Sequence, residues 1–511
     1  MIDLLMSHIL SVMIILPLIG SIITALLAFK HEKVASIFAI LISLIEMLLS
    51  VILILNFNPN TAEFQFQEIH PWLPQVGIYY HVGADGISIV MVLLCGIVCF
   101  ISAWAAYYQI EHNKGFYYSV FLLFETGVIG TFVALNFVIF YLFWELVLVP
   151  MFFLIGEWGP IRERARYAAI KFFIFTHVGS VLMLLGFIYL YAVTGTFEFI
   201  SVTELGIVGL SAISIAKDVQ TIATALIFWG FAVKLPVVPL HTWLPLAHGE
   251  APAPVSALLA GLLLKMGGYG FVRLVWLLPD GFYALVWPYF IPLAVFASIY
   301  SAFTAMMQRD LKYLVAFTSI CHMSLVFFAA VAAAYARMFQ ELKDFAAMAL
   351  AGAVLEMFAH GVVISLCFLM SGVTHHWAGT RDISKLSGLA RKMPWSGVLW
   401  LFGAISAGAL PPTVGFSAEI TLFVGSINCL WNPWPWTALV LLSPVIVVAY
   451  FIWFIQRAYL GKLHPELEKV KEAPVSALLP EAALLIPILL FGIFPALISN
   501  LMTAAIYNMI G

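Results

Sequence analysis

The sequence predicts an all-α polytopic membrane protein. Apolar runs of about 20 residues recur from one end to the other, each long enough to cross a hydrocarbon core of about 30 Å. Only 10% of the 511 residues are charged and the mean hydropathy is +1.06, where an ordinary soluble domain carries roughly 25% charge. The runs do not alternate in ten-residue segments, which excludes a transmembrane barrel.

Fourteen spans are expected: 4–28, 34–57, 84–107, 115–133, 136–156, 167–193, 220–244, 252–278, 283–306, 311–335, 346–372, 395–429, 437–456 and 475–500. The first is too long for a signal-peptide core and has no basic leader, so it reads as a retained helix. A polar stretch at 58–83, without Lys or Arg, separates spans 2 and 3. Another at 194–219 separates spans 6 and 7 and is expected to cover one face. Span 12 is unusually long and carries "GALPPTVGF" in its middle.

Charge tests the count. Connectors on one side hold seventeen basic residues, including Lys30, Lys33, Lys114, Arg162, Arg309, Lys312, Arg381 and Lys471, and those on the other hold only Lys217, Arg337 and Lys343. By the positive-inside rule the basic side is cytoplasmic, which places both termini outside. The remaining basic residues, Lys234, Lys265 and Arg273, fall inside spans.

Several chemistries find no support. The five cysteines lie in apolar segments without a CxxC pair, so neither a disulfide framework nor a zinc or iron–sulfur site is suggested. Cys95 and Cys99, one turn apart, read as packing. "KMGGYG" (265–270) is glycine-rich but intramembrane and cradles no phosphate. "RERAR" (162–166) and "LEKVKEAP" (467–474) are solvated connectors, and "THHWAG" lacks a third ligand at metal spacing.

The informative residues are ionisable groups at mid-span: Glu145, Lys234, Lys265, His322, Glu356, His360 and Glu419, with Glu46 and Glu125 in the early spans. A charge at the bilayer centre costs roughly 2.5–3.5 kcal/mol on the lenient scale, so such groups face protein or a water cavity. Any one of them can be a buried ion pair or a helix-locking hydrogen bond. Seven on six core spans instead suggest a polar axis parallel to the membrane plane. Glu, Lys and His can each hold or release a proton, and burial disfavours the charged form of all three.

Prolines mark two breaks in this axis. Pro236 and Pro239 follow Lys234, and Pro411 and Pro412 precede Glu419; each removes an amide donor and interrupts its helix. Matching broken helices with an ionisable group at the break characterise inverted-repeat transporters. Spans 4–8 and 9–13 form two such five-helix repeats. The interval is 89 residues from Glu145 to Lys234 and 97 from His322 to Glu419. The expected division is helices 1–3 at 1–114, the first repeat at 115–278, the second at 279–456, and a connector with helix 14 at 457–511.

"FYLFWELVLVPMFFLIGEWG" (140–159), "FAVKLPVVPLHTWLPLAHGEAPAPVSALLAGLLLKMGGYG" (231–270) and "DLKYLVAFTSICHMSLV" (310–326) resemble the antiporter-like membrane subunits of respiratory complex I, in the superfamily that includes Mrp-type sodium/proton antiporters. The resemblance covers nearly the whole chain. It implies a membrane-arm subunit that translocates protons and holds no cofactor, with flavin and iron–sulfur clusters in partner subunits. By motif, Glu145 and Lys234 look like the first half-channel pair and Lys265 like the central lysine. His322 and His360 look like further members, and Glu419 like the terminal residue. Glutamate at 419, in "PPTVGFSAE", is typical of the chain M (chain 4) type, and the chain ends without a long lateral helix. One departure is Leu246, where the family's "WLPDAH" has Asp; Glu250 is the nearest acid that could replace it.

The resemblance therefore implies a proton-pumping subunit of a complex I-like dehydrogenase, embedded in the cell membrane beside other antiporter-like subunits, without a nucleic-acid partner. A cation/proton antiporter subunit and a structural spacer of the membrane arm are the competing readings.

Overall fold

The computed structural model describes residues 6–430 and 433–511. Helices dominate, because backbone polar groups in hydrocarbon have only one another as partners. Eleven of the described helices are long and apolar enough to cross a membrane, with four shorter apolar ones beside them. This is a multi-pass membrane protein.

Helices α1 (Ile9–Ala28) and α2 (Glu32–Leu55) open the chain. Residues 4 and 5 of the first expected span lie outside the described residues. The polar stretch after α2 is not featureless: β1 (Gln65–Leu73) and β2 (Ile78–Ala84) form an antiparallel hairpin, with His70 opposite Tyr80 and Glu68 opposite Val82. An all-α expectation misses it because the strands are short and stand outside the apolar runs that dominate the pattern. Asp85 then caps α3 (Gly86–Gln109), accepting from the amides of Ile87 and Ser88 at 3.1 and 2.9 Å.

Helix α4 (Lys114–Val133) leads to a span in two pieces, α5 (Phe137–Leu146) and α6 (Leu148–Trp158). The 33-residue α7 (Arg162–Thr194) leaves much of its length exposed, with Ile170, Ile174, Val178 and Leu185 facing outward. The segment after it packs on the connector between α4 and α5: Phe137 N donates to Phe197 O and Phe199 N to Leu135 O, and Glu198 binds His81 and Asn136 at 2.7 and 2.6 Å.

The first proline break follows α8 (Lys217–Lys234), and α9 (Leu244–Glu250) resumes after it. The second separates α16 (Pro394–Ala407) from α17 (Val414–Cys429). The two breaks are built alike. Val237 N bonds back to Ala232 O at 2.8 Å and Leu410 N to Ile405 O at 2.9 Å, a six-to-one closure of the Schellman kind that satisfies terminal carbonyls. Trp243 Nε1 takes up Val233 O at 3.0 Å. Each break carries one cis X–Pro bond.

Between the breaks run α10 (Ala253–Leu258), a π-helical turn (Leu259–Leu263), α11 (Leu264–Leu277), α12 (Pro279–Leu285), α13 (Ile291–Met306), α14 (Leu311–Ala336) and the 36-residue α15 (Lys343–Ala378). Helix α15 is the central post. Its apolar window is wholly buried, and α14, α16 and α17 pack around it. At Gly267 a methyl would stand 2.7 Å from Leu235 N and 2.9 Å from Phe231 O, so only glycine lets α11 close on the end of α8.

After α18 (Pro433–Ala458) the expected last span, 475–500, is corrected. The chain forms α19 (Val475–Ala483) and α20 (Leu485–Ile493), breaks at Phe494–Pro495, and continues as α21 (Ala496–Ile510). Pro495 has no amide to continue the ladder of α20, yet serves well just before a helix start. All five cysteines are free and buried; Cys95 and Cys99 Sγ lie 3.9 Å apart.

Connectors near 110, 159 and 252 and the last turn of α15 converge on a cavity of about 400 Å³ lined by Lys312, Arg381, His375, His376 and Glu111. On the opposite face Lys343 reaches the carbonyl of Gly511.

Candidate functional site

Five of the mid-span groups form one buried contact chain. It starts at Lys265, the second residue of α11, whose Nζ meets Ala260 O at 2.5 Å inside the π-helical turn and contacts His360 Nδ1. A π turn shifts one carbonyl out of the α register, and such turns gather at functional sites. His360 lies on α15 one turn beyond Glu356, so both side chains project from one face. The His360 and His322 rings stand 5.6 Å apart. His322, on α14, binds Glu356 Oε1 through Nδ1 at 2.9 Å and stands 3.5 Å from Glu419 Oε1, an ion-pair contact without hydrogen-bond geometry. All five are at most 5% exposed.

Beside them is a small cavity of about 10 Å³, lined by His322, Glu356, His360, Ser406 and Gly415, about the space a single water occupies. His322 Nε2, Glu356 Oε2, His360 Nε2 and Ser406 Oγ are buried polar atoms without a protein hydrogen-bond partner. Such atoms are costly unless hydrated or protonated in turn. Three bases lead to two acids, with hydrogen bonds at Lys265–His360 and His322–Glu356 and the two imidazole rings 5.6 Å apart between them, a series suited to stepwise proton transfer.

Lys234 and Glu145 form a second group. Lys234 is the last residue of α8, where the helix dipole favours a cation. Its Nζ donates to Trp144 O at 3.0 Å and lies 3.6 Å above the Trp144 ring. No ion pair joins it to Glu145 among the described residues, although the two lie within electrostatic reach. Glu145 pairs instead with His177 Nδ1 of α7 at 3.0 Å. The two groups are separated by the close packing of α11, where Gly267 meets Leu235 and Gly268 meets Met357.

The family "NADH:quinone oxidoreductase/Mrp antiporter, TM" matches residues 134–446. The chain belongs to this family. NADH-quinone oxidoreductase subunit M of Rickettsia prowazekii (strain Madrid E) is 34% identical over 511 residues, covering 98% of each chain. F(420)H(2) dehydrogenase subunit M of Methanosarcina mazei is 33% identical over 502 residues, covering 96% of each. Among solved structures, a chain of respiratory complex I from Thermus thermophilus with bound NADH matches at a TM-score of 0.84 and 25% identity, over 98% of this chain and 100% of that one. The relatives named subunit M agree with the subtype read from Glu419.

Two family-site neighbours escape the sequence reading. His177 is near the middle of α7 and its side chain is 46% exposed; a lone histidine in "FTHVGS", mid-span, was its signal. His248, in "LAHGE", is fully buried against Phe368, with ring centroids 4.4 Å apart and neither ring nitrogen partnered. It lies within electrostatic reach of both Lys265 and Lys312. Leu246, at the position of the family Asp, packs half-buried on the core. Glu250 instead stands within electrostatic reach of Lys312 and Tyr313.

His177→Ala is expected to lower proton translocation by about two- to tenfold, since Glu145 loses its hydrogen-bonded partner. Proton uptake by proteoliposomes of the intact complex measures this, and an unchanged rate would remove His177 from the path.

Proposed function

We propose that this chain is a proton-translocating membrane-arm subunit of a complex I-like dehydrogenase, of the chain M type. Partner subunits move electrons from NADH or an equivalent donor to a quinone-type acceptor. The contact chain Lys265–His360–His322–Glu356, with Glu419 beside it, carries the proposal, because five ionisable groups held together in a bilayer are expensive for a spacer. Flavin and iron–sulfur clusters are assigned to the partners, and the role of this chain is to hold and pass protons.

Glu145, Lys234, Lys265, His322, His360 and Glu419 are the proposed carriers, joined by Glu356 and His177. A change of charge near Glu145 shifts the proton affinity of Lys234, and the proton moves toward Lys265 once water bridges the packing at Gly267. Access from the basic face runs from the cavity at Lys312 past His248 to Lys265. The matching Schellman-type breaks support two inverted five-helix repeats, at 115–278 and 279–456, within a fourteen-span reading. The excess of basic residues on one face supports a cytoplasmic orientation for it in the inner or plasma membrane, with both termini opposite.

Mid-span exposure of His177 and the apolar face of α7 supports a neighbouring antiporter-like subunit there, since a polar pair facing lipid is unfavourable. A cation/proton antiporter subunit is the second reading. It draws on His322, Glu356 and Glu419, whose ligand atoms lie within 4.8 Å of one another.

Affinity purification of the chain from its native membrane, with companions identified by mass spectrometry, separates the two. Flavin and iron–sulfur subunits are expected. A set of membrane subunits without any redox protein would overturn the dehydrogenase assignment.

A further inference from the structure

Far from the buried chain, His8, Glu68 and His70 bring three ligand atoms within 4.8 Å of one another. We propose that they form a Zn²⁺ site on the face opposite the basic connectors, clamping the start of α1 to the β-hairpin. Glu68 and His70 are two apart on β1, so both side chains leave the same face of the strand. His8 precedes the first residue of α1 and comes to them from 60 positions away in sequence.

The donor set is specific. Two imidazoles and one carboxylate suit Zn²⁺ and its transition-metal neighbours, whereas Ca²⁺ and Mg²⁺ take all-oxygen shells. Zn–N and Zn–O bonds of about 2.1 Å in a tetrahedron place neighbouring donors about 3.4 Å apart. His8 Nδ1 and Glu68 Oε2 already stand at 3.4 Å. The two rings, both exposed at the surface, reach the remaining separation by side-chain rotation.

Outer partners hold the ligands in place. Glu68 is buried, and its second oxygen accepts from Ser11 N at 2.9 Å, an amide of the first turn of α1. That leaves Oε2 aimed at His8. Ser11 Oγ meets Tyr80 OH at 2.8 Å, and the Tyr80 ring stacks on His70 at 6.2 Å and 19°. A carboxylate fixed by a backbone amide, and a ring fixed by an aromatic neighbour, form the kind of outer shell that orients metal ligands. With three protein ligands the fourth position is open to water, and the exposed histidines let an ion arrive from the solution on this face.

The test uses the full chain purified without a polyhistidine tag, titrated with ZnCl₂ against a chromophoric chelator. The wild type is expected to bind one more Zn²⁺ equivalent than His8→Ala/His70→Ala, and His70→Gln alone is expected to weaken that equivalent by about tenfold or more. Co²⁺ in place of Zn²⁺ should give visible tetrahedral absorption in the wild type that the double variant lacks. Equal stoichiometry and affinity in wild type and variants, or Co²⁺ spectra that do not differ, would overturn the site. Zn²⁺ should also raise the thermal transition of the wild type but not of His70→Gln, a readout independent of proton translocation.

Discussion

Lys234→Ala is expected to cut proton translocation by about tenfold or more while the complex still assembles. Lys234 is 1% exposed and, among the described residues, donates only to the carbonyl of Trp144. Its truncation leaves one acceptor without that donor, a cost of about 1–3 kcal/mol that a protein of this size can absorb. The functional loss is larger because no other group on α8 can hold a proton at that depth. Lys234→Arg sharpens the test. It keeps the charge and the reach, but a guanidinium does not release its proton in a protein, so pumping should fail there too. Proton-to-electron stoichiometry in proteoliposomes is the measurement, and a wild-type ratio in an assembled Lys234→Ala complex would sink the assignment.

Arg273→Ala is expected to act on stability instead, lowering it by about 3–5 kcal/mol. The Arg273 guanidinium grips Asp85 through two bonds of 2.7 Å and reaches Ser88 Oγ at 3.0 Å and Tyr269 OH at 2.9 Å. Alanine leaves Asp85 buried and charged at the start of α3. Asp85→Asn retains a capping oxygen but breaks the pair from the other side, so it should also destabilise. Replacing both partners with leucine should recover part of the loss, because no lone buried charge is left. Thermal transition in detergent and steady-state abundance in the membrane report the effect; an unchanged transition in Arg273→Ala would refute it.

The breaks at 235–243 and 408–413 were readable because proline and charge interrupt an otherwise uniform apolar pattern. The same contrast made Glu145, Lys234, Lys265, His322, His360 and Glu419 visible as candidates. Their partners were not readable. Lys265 meets His360 across 95 positions and His322 meets Glu356 across 34, and only helix packing sets such pairings. His177 and His248 each stand alone in an apolar segment, where nothing local separates a ligand-holding histidine from a packed one. The hairpin at 65–84 and the break at Pro495 were hidden for a different reason. Composition distinguishes lipid-facing from water-facing chain far better than it distinguishes strand from loop, or one helix from two in line.

Helix α15 places Glu356 and His360 on one rigid rod, so the spacing between an acid and a base is set by the helical rise: four residues, about 6 Å. The rod is therefore a ruler, and its graduations are residues. One residue inserted between the two would leave each side chain chemically intact. It would also turn His360 about 100° around the axis, away from Lys265 and toward whatever lines the neighbouring groove.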